Sequence, residues 1–244
     1  MPDLPISGSK GNVTFVSGFA QSPFSWEARI AGLVRETTPF QPTNGYRTFA
    51  SANLMGMKGS YKCRQTVNAT AAITGPAYLA NPFAFTLRMG CNAEQLHATK
   101  FGDTWRNYVS VNVLKFIEGD FQVYVEDTTA LPLPLTVATG VFTIATGLSY
   151  SVPLIICDDI TIGVHVDGSS RMARIPWKAT ANPTLTGSPP EGGATGAATL
   201  IADSGGRQFS GNIVVTTAEI GVNRDQPDAE WNIGFLGLGA ITAA

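Results

Sequence analysis

Hardly any window of this chain is both long enough and free enough of glycine and proline to make a helix of ordinary length. The 244 residues include 26 glycines and 15 prolines, and both residue types interrupt helices wherever they fall inside them. Between the breaks lie short runs rich in Val, Ile, Thr and aromatic residues, at 13–16, 25–34, 121–126 and 160–166. β-branched and aromatic side chains fit the pleated surface of a sheet, and bounding Gly, Pro, Asn and Asp mark turns. The expectation is a mainly β fold of two packed antiparallel sheets, a sandwich or barrel, with at most one short helix. Only residues 93–99 and 108–116 offer helical windows.

Hydrophobic residues make up 44% of the chain, enough to bury a core without metals or disulfides. The length suits one large β domain or two small ones. The predicted organisation is an amino-terminal arm over residues 1–12, rich in Pro, Gly and Ser, followed by a β-rich domain over 13–244. The arm is expected to be disordered alone and ordered by a neighbour. Residues 1–15 lack a basic then apolar leader pattern, and no apolar run reaches the length of a membrane helix. The expectation is synthesis in a cytoplasm and no membrane partner.

Sliding the sequence along itself exposes one internal likeness. Pro23, Phe24, Trp26, Arg29 and Ile30 fall on Pro82, Phe83, Phe85, Arg88 and Met89, a displacement of 59 residues. The same displacement lays Tyr46, Arg47, Phe49, Ser51 and Asn53 on Trp105, Arg106, Tyr108, Ser110 and Asn112. One residue of slippage then pairs Gly59 and Tyr61 with Gly119 and Phe121. Segments 23–61 and 82–121 therefore read as a supersecondary unit used twice, against the alternative of chance likeness between two hairpins.

Charged residues are only 14% of the chain, with a formal net charge of −2. So thin a charged layer favours a surface covered by copies of the same chain, though a monomer with a Ser, Thr and Asn surface fits the composition too. Basic residues gather only at Lys58, Lys62 and Arg64 and at Arg171, Arg174 and Lys178. That is too sparse for a nucleic-acid grip. Cys63, Cys91 and Cys157 are odd in number and lack Cys-x-x-Cys spacing, which reads as buried reduced thiols rather than a disulfide framework or zinc site.

No catalytic constellation emerges. His97 and His165 stand apart from any nucleophile or metal motif. Asp158 with Asp159, and Asp225 with Asp228 and Glu230, read as solvated turn acids, because paired-carboxylate chemistry needs acids that converge across a cleft. Residues 223–228 read as a connection between strands at 212–216 and 231–235. Trp26, Trp105, Trp177 and Trp231 are spread as core or interface anchors would be. Leu131-Pro132-Leu133-Pro134-Leu135 reads as a stiff link, and residues 186–196 as a flexible polar loop. No catalytic, cofactor-binding or metal-binding residue is assigned, and no cofactor is expected.

The run from Phe24 to Phe40, then Gly45, Tyr46, Phe49 and Lys58-Gly59-Ser60-Tyr61, resembles the amino-terminal half of tailed-bacteriophage tail tube proteins (major tail proteins). Gly211-Asn212-Ile213-Val214-Val215 and the stretch from Trp231 to Gly239 are similar to that family's closing strands. The resemblance covers about half of the chain, and a second unit at 82–121 departs from the simplest members. It implies a non-enzymatic viral structural protein of the virion tail, assembled in the host cytoplasm. Its copies would form hexameric rings, or rings of three duplicated chains, that stack into a conduit for DNA ejection. The implied partners are the chain itself, other tail proteins, and DNA passing non-specifically through the lumen. Two other readings stay open: a carbohydrate-binding or adhesive β-sandwich module, and a virion decoration or tail-completion protein.

Overall fold

Alternation of buried and exposed side chains runs through strand after strand, as in Thr70–Thr74 and Leu135–Ala145, and it places one face of each strand in a shared core. The computed structural model describes residues 12–15, 23–36, 49–92, 96–97, 108–109, 114–125, 131–164, 171–202, 208–223 and 225–244. Its strands in chain order are β1 (Asn12–Phe15), β2 (Pro23–Glu36), β3 (Phe49–Thr66), β4 (Thr70–Thr74), β5 (Ala84–Asn92), β6 (Leu96–His97), β7 (Tyr108–Val109) and β8 (Leu114–Val125). There follow β9 (Leu135–Ala145), β10 (Leu148–Cys157), β11 (Thr161–Val164), β12 (Arg171–Ala179), β13 (Thr184–Thr186), β14 (Thr195–Ile201), β15 (Gln208–Asn223) and β16 (Asp228–Ala243). The fold is mainly β, with a large antiparallel sheet and, among the described residues, a 3-10 turn at Ala77–Leu79 as its only helical element.

The helical windows are corrected where they are described. Leu96–His97 pairs antiparallel with Tyr108–Val109, and Leu114 to Phe116 open the long strand β8. Cross-strand pairing overrides the weak helical spacing there. Arm residues 1–11 lie outside the described residues, whereas Asn12 already pairs with Ile201 in β1. The predicted link between strands 212–216 and 231–235 is a turn that joins β15 to β16, although Asp228 and Glu230 both sit in β16 rather than in the turn. Residues 186–196 also differ from expectation. Pro189, Pro190 and Gly192 are buried, Tyr150 Oη donates to the Pro190 carbonyl at 3.1 Å, and Gly193 N donates to Val215 O at 2.7 Å. Two prolines restrict the chain enough for such a loop to pack inward at modest entropic loss.

The sheet order divides into two halves of the same topology. One runs β2-β3-β16-β15-β14-β1 and the other β5-β8-β12-β10-β9-β4, with every pairing antiparallel. In sequence the second half is inserted whole between β3 and β14 of the first. The correspondence reaches individual residues. Trp26 faces Tyr61 and Ala28 faces Gly59, while Phe85 faces Phe121 and Leu87 faces Gly119. Phe235 lies across from Gly59, and Trp177 across from Gly119. A Cβ on Gly59 would strike the Glu27 carbonyl and the Phe235 ring; one on Gly119 would strike the Thr86 carbonyl and the Trp177 ring. Ile220 pairs with Trp231 in β15–β16, and Ile162 with Ala173 in β11–β12, so that Ile220-Gly221-Val222 matches Ile162-Gly163-Val164. In the second half the long fifth strand is broken into β10 and β11, and both lie along the same edge of β12.

Each half folds over on itself. Trp26 Nε1 donates to the Ile201 carbonyl at 3.0 Å, and in the matching place the Phe85 ring lies 5.3 Å from Phe142. Phe142 and Phe121 both stack on Trp177, with centroids 5.0 and 5.6 Å away. Such aromatic contacts add about 0.5–1.5 kcal/mol each beyond the area they bury. One contiguous hydrophobic cluster runs through both halves, and Trp177, Trp231, Tyr150, Phe121, Phe142 and Phe235 are all fully buried in it.

Candidate assembly surface

The halves join where residues 217–223 of β15 pair with residues 84–90 of β5, which makes the sheet continuous from β2 to β12. Because side chains alternate, its face away from the core carries the odd or even partners of the buried set: Glu27, Arg29, Lys58, Lys62, Glu230, Glu219, Arg88, Glu118 and Arg174 among them. Most charges on this face are matched. Ser60 Oγ donates to Glu27 at 3.3 Å, Lys62 meets Glu230 at 3.9 Å, Arg88 meets Glu118 at 3.1 Å and Lys178 meets Asp158 at 3.6 Å. Lys58, Lys62 and Arg64 fall on β3, and Arg174 and Lys178 on β12, so the two basic groupings are spread across a polar sheet and interleaved with acids.

Asp120 is the one buried acid of this face among the described residues. Its Oδ2 accepts from Thr86 Oγ1 at 2.6 Å and from Arg174 Nη2 at 2.9 Å, while its own backbone N–H donates to Thr86 Oγ1 at 3.0 Å. The hydroxyl both donates and accepts, so it bridges backbone and carboxylate. The hydrogen bond and charge of Asp120 push the Arg174 guanidinium further up from its usual range. This network ties β5, β8 and β12 together on the polar side.

Arg29 and Lys58 are different. They stand directly opposite each other across β2–β3, and neither has an anionic partner among the described residues. Like charges opposed in this way destabilise a strand pair. They lie beside an open strand edge: among the described residues the backbone of β2 pairs with β3 alone, and that of β11 with β12 alone. Ile30 on β2 is 39% exposed and Ile162 on β11 is 44% exposed, while their counterparts at the β5–β15 junction, Met89 and Ile220, are 3% and 0% exposed.

The residues considered for chemistry do not converge. Asp158, Asp159, Asp225, Asp228 and Glu230 are all exposed, and Asp158 and Glu230 are engaged by lysines. A groove of about 700 Å³ is lined by Val67, Asn68, Asn81, Phe83 and Asn223, with Asp225 as the one carboxylate among the described lining residues. No cluster of three or more potential metal ligands occurs among the described residues. Cys63, Cys91 and Cys157 are free and buried; burial pushes the Cys63 thiol up to about 12 and that of Cys157 up to about 11. Trp177 and Trp231 are core anchors and Trp26 is half-buried, while Trp105 and His165 lie outside the described residues and His97 is placed only by its backbone in β6. No family model, curated protein or solved structure matches the chain.

The sequence placed Arg29 and Ile30 in a repeated unit, Asp159 in a turn and Ile162 in a strand, but gave none of them a place at an open edge, because none belongs to a catalytic or binding signature. The signal was present in the match of Ile162-Gly163-Val164 to Ile220-Gly221-Val222, displaced by 58 residues in the same chain.

Proposed function

We propose that this chain is a structural virion protein, a tail tube subunit that assembles with its own copies into stacked rings around a DNA conduit. The observation that carries the reading is a continuous polar sheet flanked by two open strand edges with exposed isoleucines. An open edge is an aggregation hazard in a monomer, and a ring removes it by pairing each edge with a neighbour's. The polar face would line the lumen. Its ion pairs neutralise one another locally, which lets duplex DNA pass without being gripped, since grip depends on unpaired cations meeting phosphates. With two equivalent halves in each chain, a wall of six β units would need three chains. The role is assembly rather than catalysis, with other tail proteins as further partners, in a virion tail built in the host cytoplasm.

Negative-stain electron microscopy of the purified chain over a concentration series tests this. Hollow rings or tubes with a lumen of roughly 20 Å or more, wide enough for B-DNA, are expected. Featureless small particles at every concentration would overturn it. One feature favours a second reading, a carbohydrate-binding module: Tyr124 is 58% exposed and stacks on Phe83 at 4.5 Å, a platform on which a sugar ring could lie. Glycan-array binding that is abolished by Tyr124→Ala, from a chain that stays monomeric, would select that reading.

A further inference from the structure

The junction between the two halves has an unused counterpart. In the first half the carboxy-terminal part of β15 projects past β14 and takes β5 of the second half along its outer edge, with Ala218, Gly221 and Ile220 opposite Met89, Thr86 and Leu87. The matching piece of the second half is β11, whose outer edge carries nothing among the described residues. The strand matching β5 is β2, whose outer edge is equally bare. We propose that β11 of one copy pairs antiparallel with β2 of the next, in the register of the internal junction, so that Ile162 lies opposite Ala28, Gly163 opposite Glu27 and Ile160 opposite Ile30. The occupant of each open edge is a second copy of this chain, joined head to tail.

Three features of the exposed edges support that occupant. Ile220 and Met89 are buried because the internal junction covers them, whereas Ile162 and Ile30, at the matching positions, stay exposed in the isolated chain. Both β11 and β15 carry a glycine in the matching place, Gly163 and Gly221, and Gly221 is the one that lies opposite Thr86 in the internal junction. The charges complement as well. In the internal junction Glu219 faces Arg88. In the proposed one Asp159, which is exposed, comes diagonal to Arg29 and relieves its opposition to Lys58. An interface that repeats head to tail closes into a ring or grows as a filament according to its rotation, and here internal and external junctions would alternate around it.

The pairing deepens the assembly reading and is independent of what passes through the ring. Its test is disulfide trapping in the full chain. Directly opposed strand residues have Cα atoms within the span a disulfide needs, and the three native cysteines are buried. A mixture of Ala28→Cys and Ile162→Cys chains is expected to give a cross-linked dimer, and the double variant a head-to-tail ladder. Ser25→Cys with Ile162→Cys, about three residues out of register and roughly 10 Å too far along the strand, should give neither. Ile162→Glu and Ile30→Glu alter exposed side chains, so they should leave the melting temperature unchanged while raising the concentration for half-association about tenfold or more. Cross-linking no better than the mismatched pair overturns the proposal, whether the chain stays monomeric or assembles through another surface. In-register ladders without a hollow particle would leave this pairing standing and remove the conduit; tubes without in-register cross-links would do the reverse.

Discussion

Replacing Gly119 by alanine probes the closest approach in the second hairpin. Gly119 sits in β8 opposite Leu87, and its backbone is not in the left-handed region, so alanine can adopt it without dihedral strain. On an open strand the change would favour folding by roughly 0.5–1 kcal/mol, because alanine loses less backbone entropy than glycine. Here the new methyl runs into the Thr86 carbonyl, and behind it lies the Trp177 ring. The carbonyl belongs to the β5–β8 ladder and cannot yield by a rotamer change, and Trp177 is held by Phe121 and Phe142. Overpacking of this kind costs about 1–3 kcal/mol. The net expectation is a loss of about 1–2 kcal/mol, seen as a melting temperature lower by roughly 2–8 °C for a chain of this size. Urea unfolding followed by tryptophan fluorescence, at one fixed protein concentration, would measure it. Gly59→Ala should behave alike, since it meets the Glu27 carbonyl and the Phe235 ring. Gly32→Ala, with nothing within 4 Å, should be neutral or slightly stabilising. A Gly119→Ala chain as stable as Gly32→Ala would refute the reasoning.

Trp177→Ala should lower stability by about 3–5 kcal/mol through the cavity left between Phe121 and Phe142, read from the urea midpoint. Asp120→Ala should lower it by about 1–3 kcal/mol, because it strips the charged acceptor from Thr86 and Arg174; Thr86→Val combined with it should add less than its own single effect in a double-mutant cycle. Burial holds the Cys63 and Cys157 thiols protonated to about 12 and about 11, against 9.0 for the open chain. Their contribution is whole below pH 9 and drains away as the pH rises through 9 to 12, so the urea midpoint should fall over that window. The same thiols should react with a maleimide only after denaturant is added.

The β class was legible because it rests on local chemistry: β-branched runs such as 213–215 and glycine-proline breaks that no tertiary contact can undo. The hairpin likeness of 23–61 to 82–121 was legible in part, through aromatic, arginine and glycine positions that keep their spacing. The remaining strands of the two halves, β14, β15 and β16 against β9, β10, β11 and β12, keep a legible likeness at Ile220-Gly221-Val222 and Ile162-Gly163-Val164 but not elsewhere, because different side chains fill the same strand positions there. Windows 93–99 and 108–116 misled, since their spacing suits a helix while their described residues pair as strands, Leu96 with Val109 and Leu114 with Asn92.

By itself the sequence determined what each segment can be: strand, turn or buried thiol, all set by side-chain shape, backbone freedom and polarity over a few residues. Only the tertiary structure decided which edges are filled. Ile220 and Ile162 sit in nearly identical local sequence, yet one is buried by β5 and the other is open. That difference depends on which strand arrives alongside, and pairing across more than a hundred residues of chain is settled by the global packing of the core rather than by local preference.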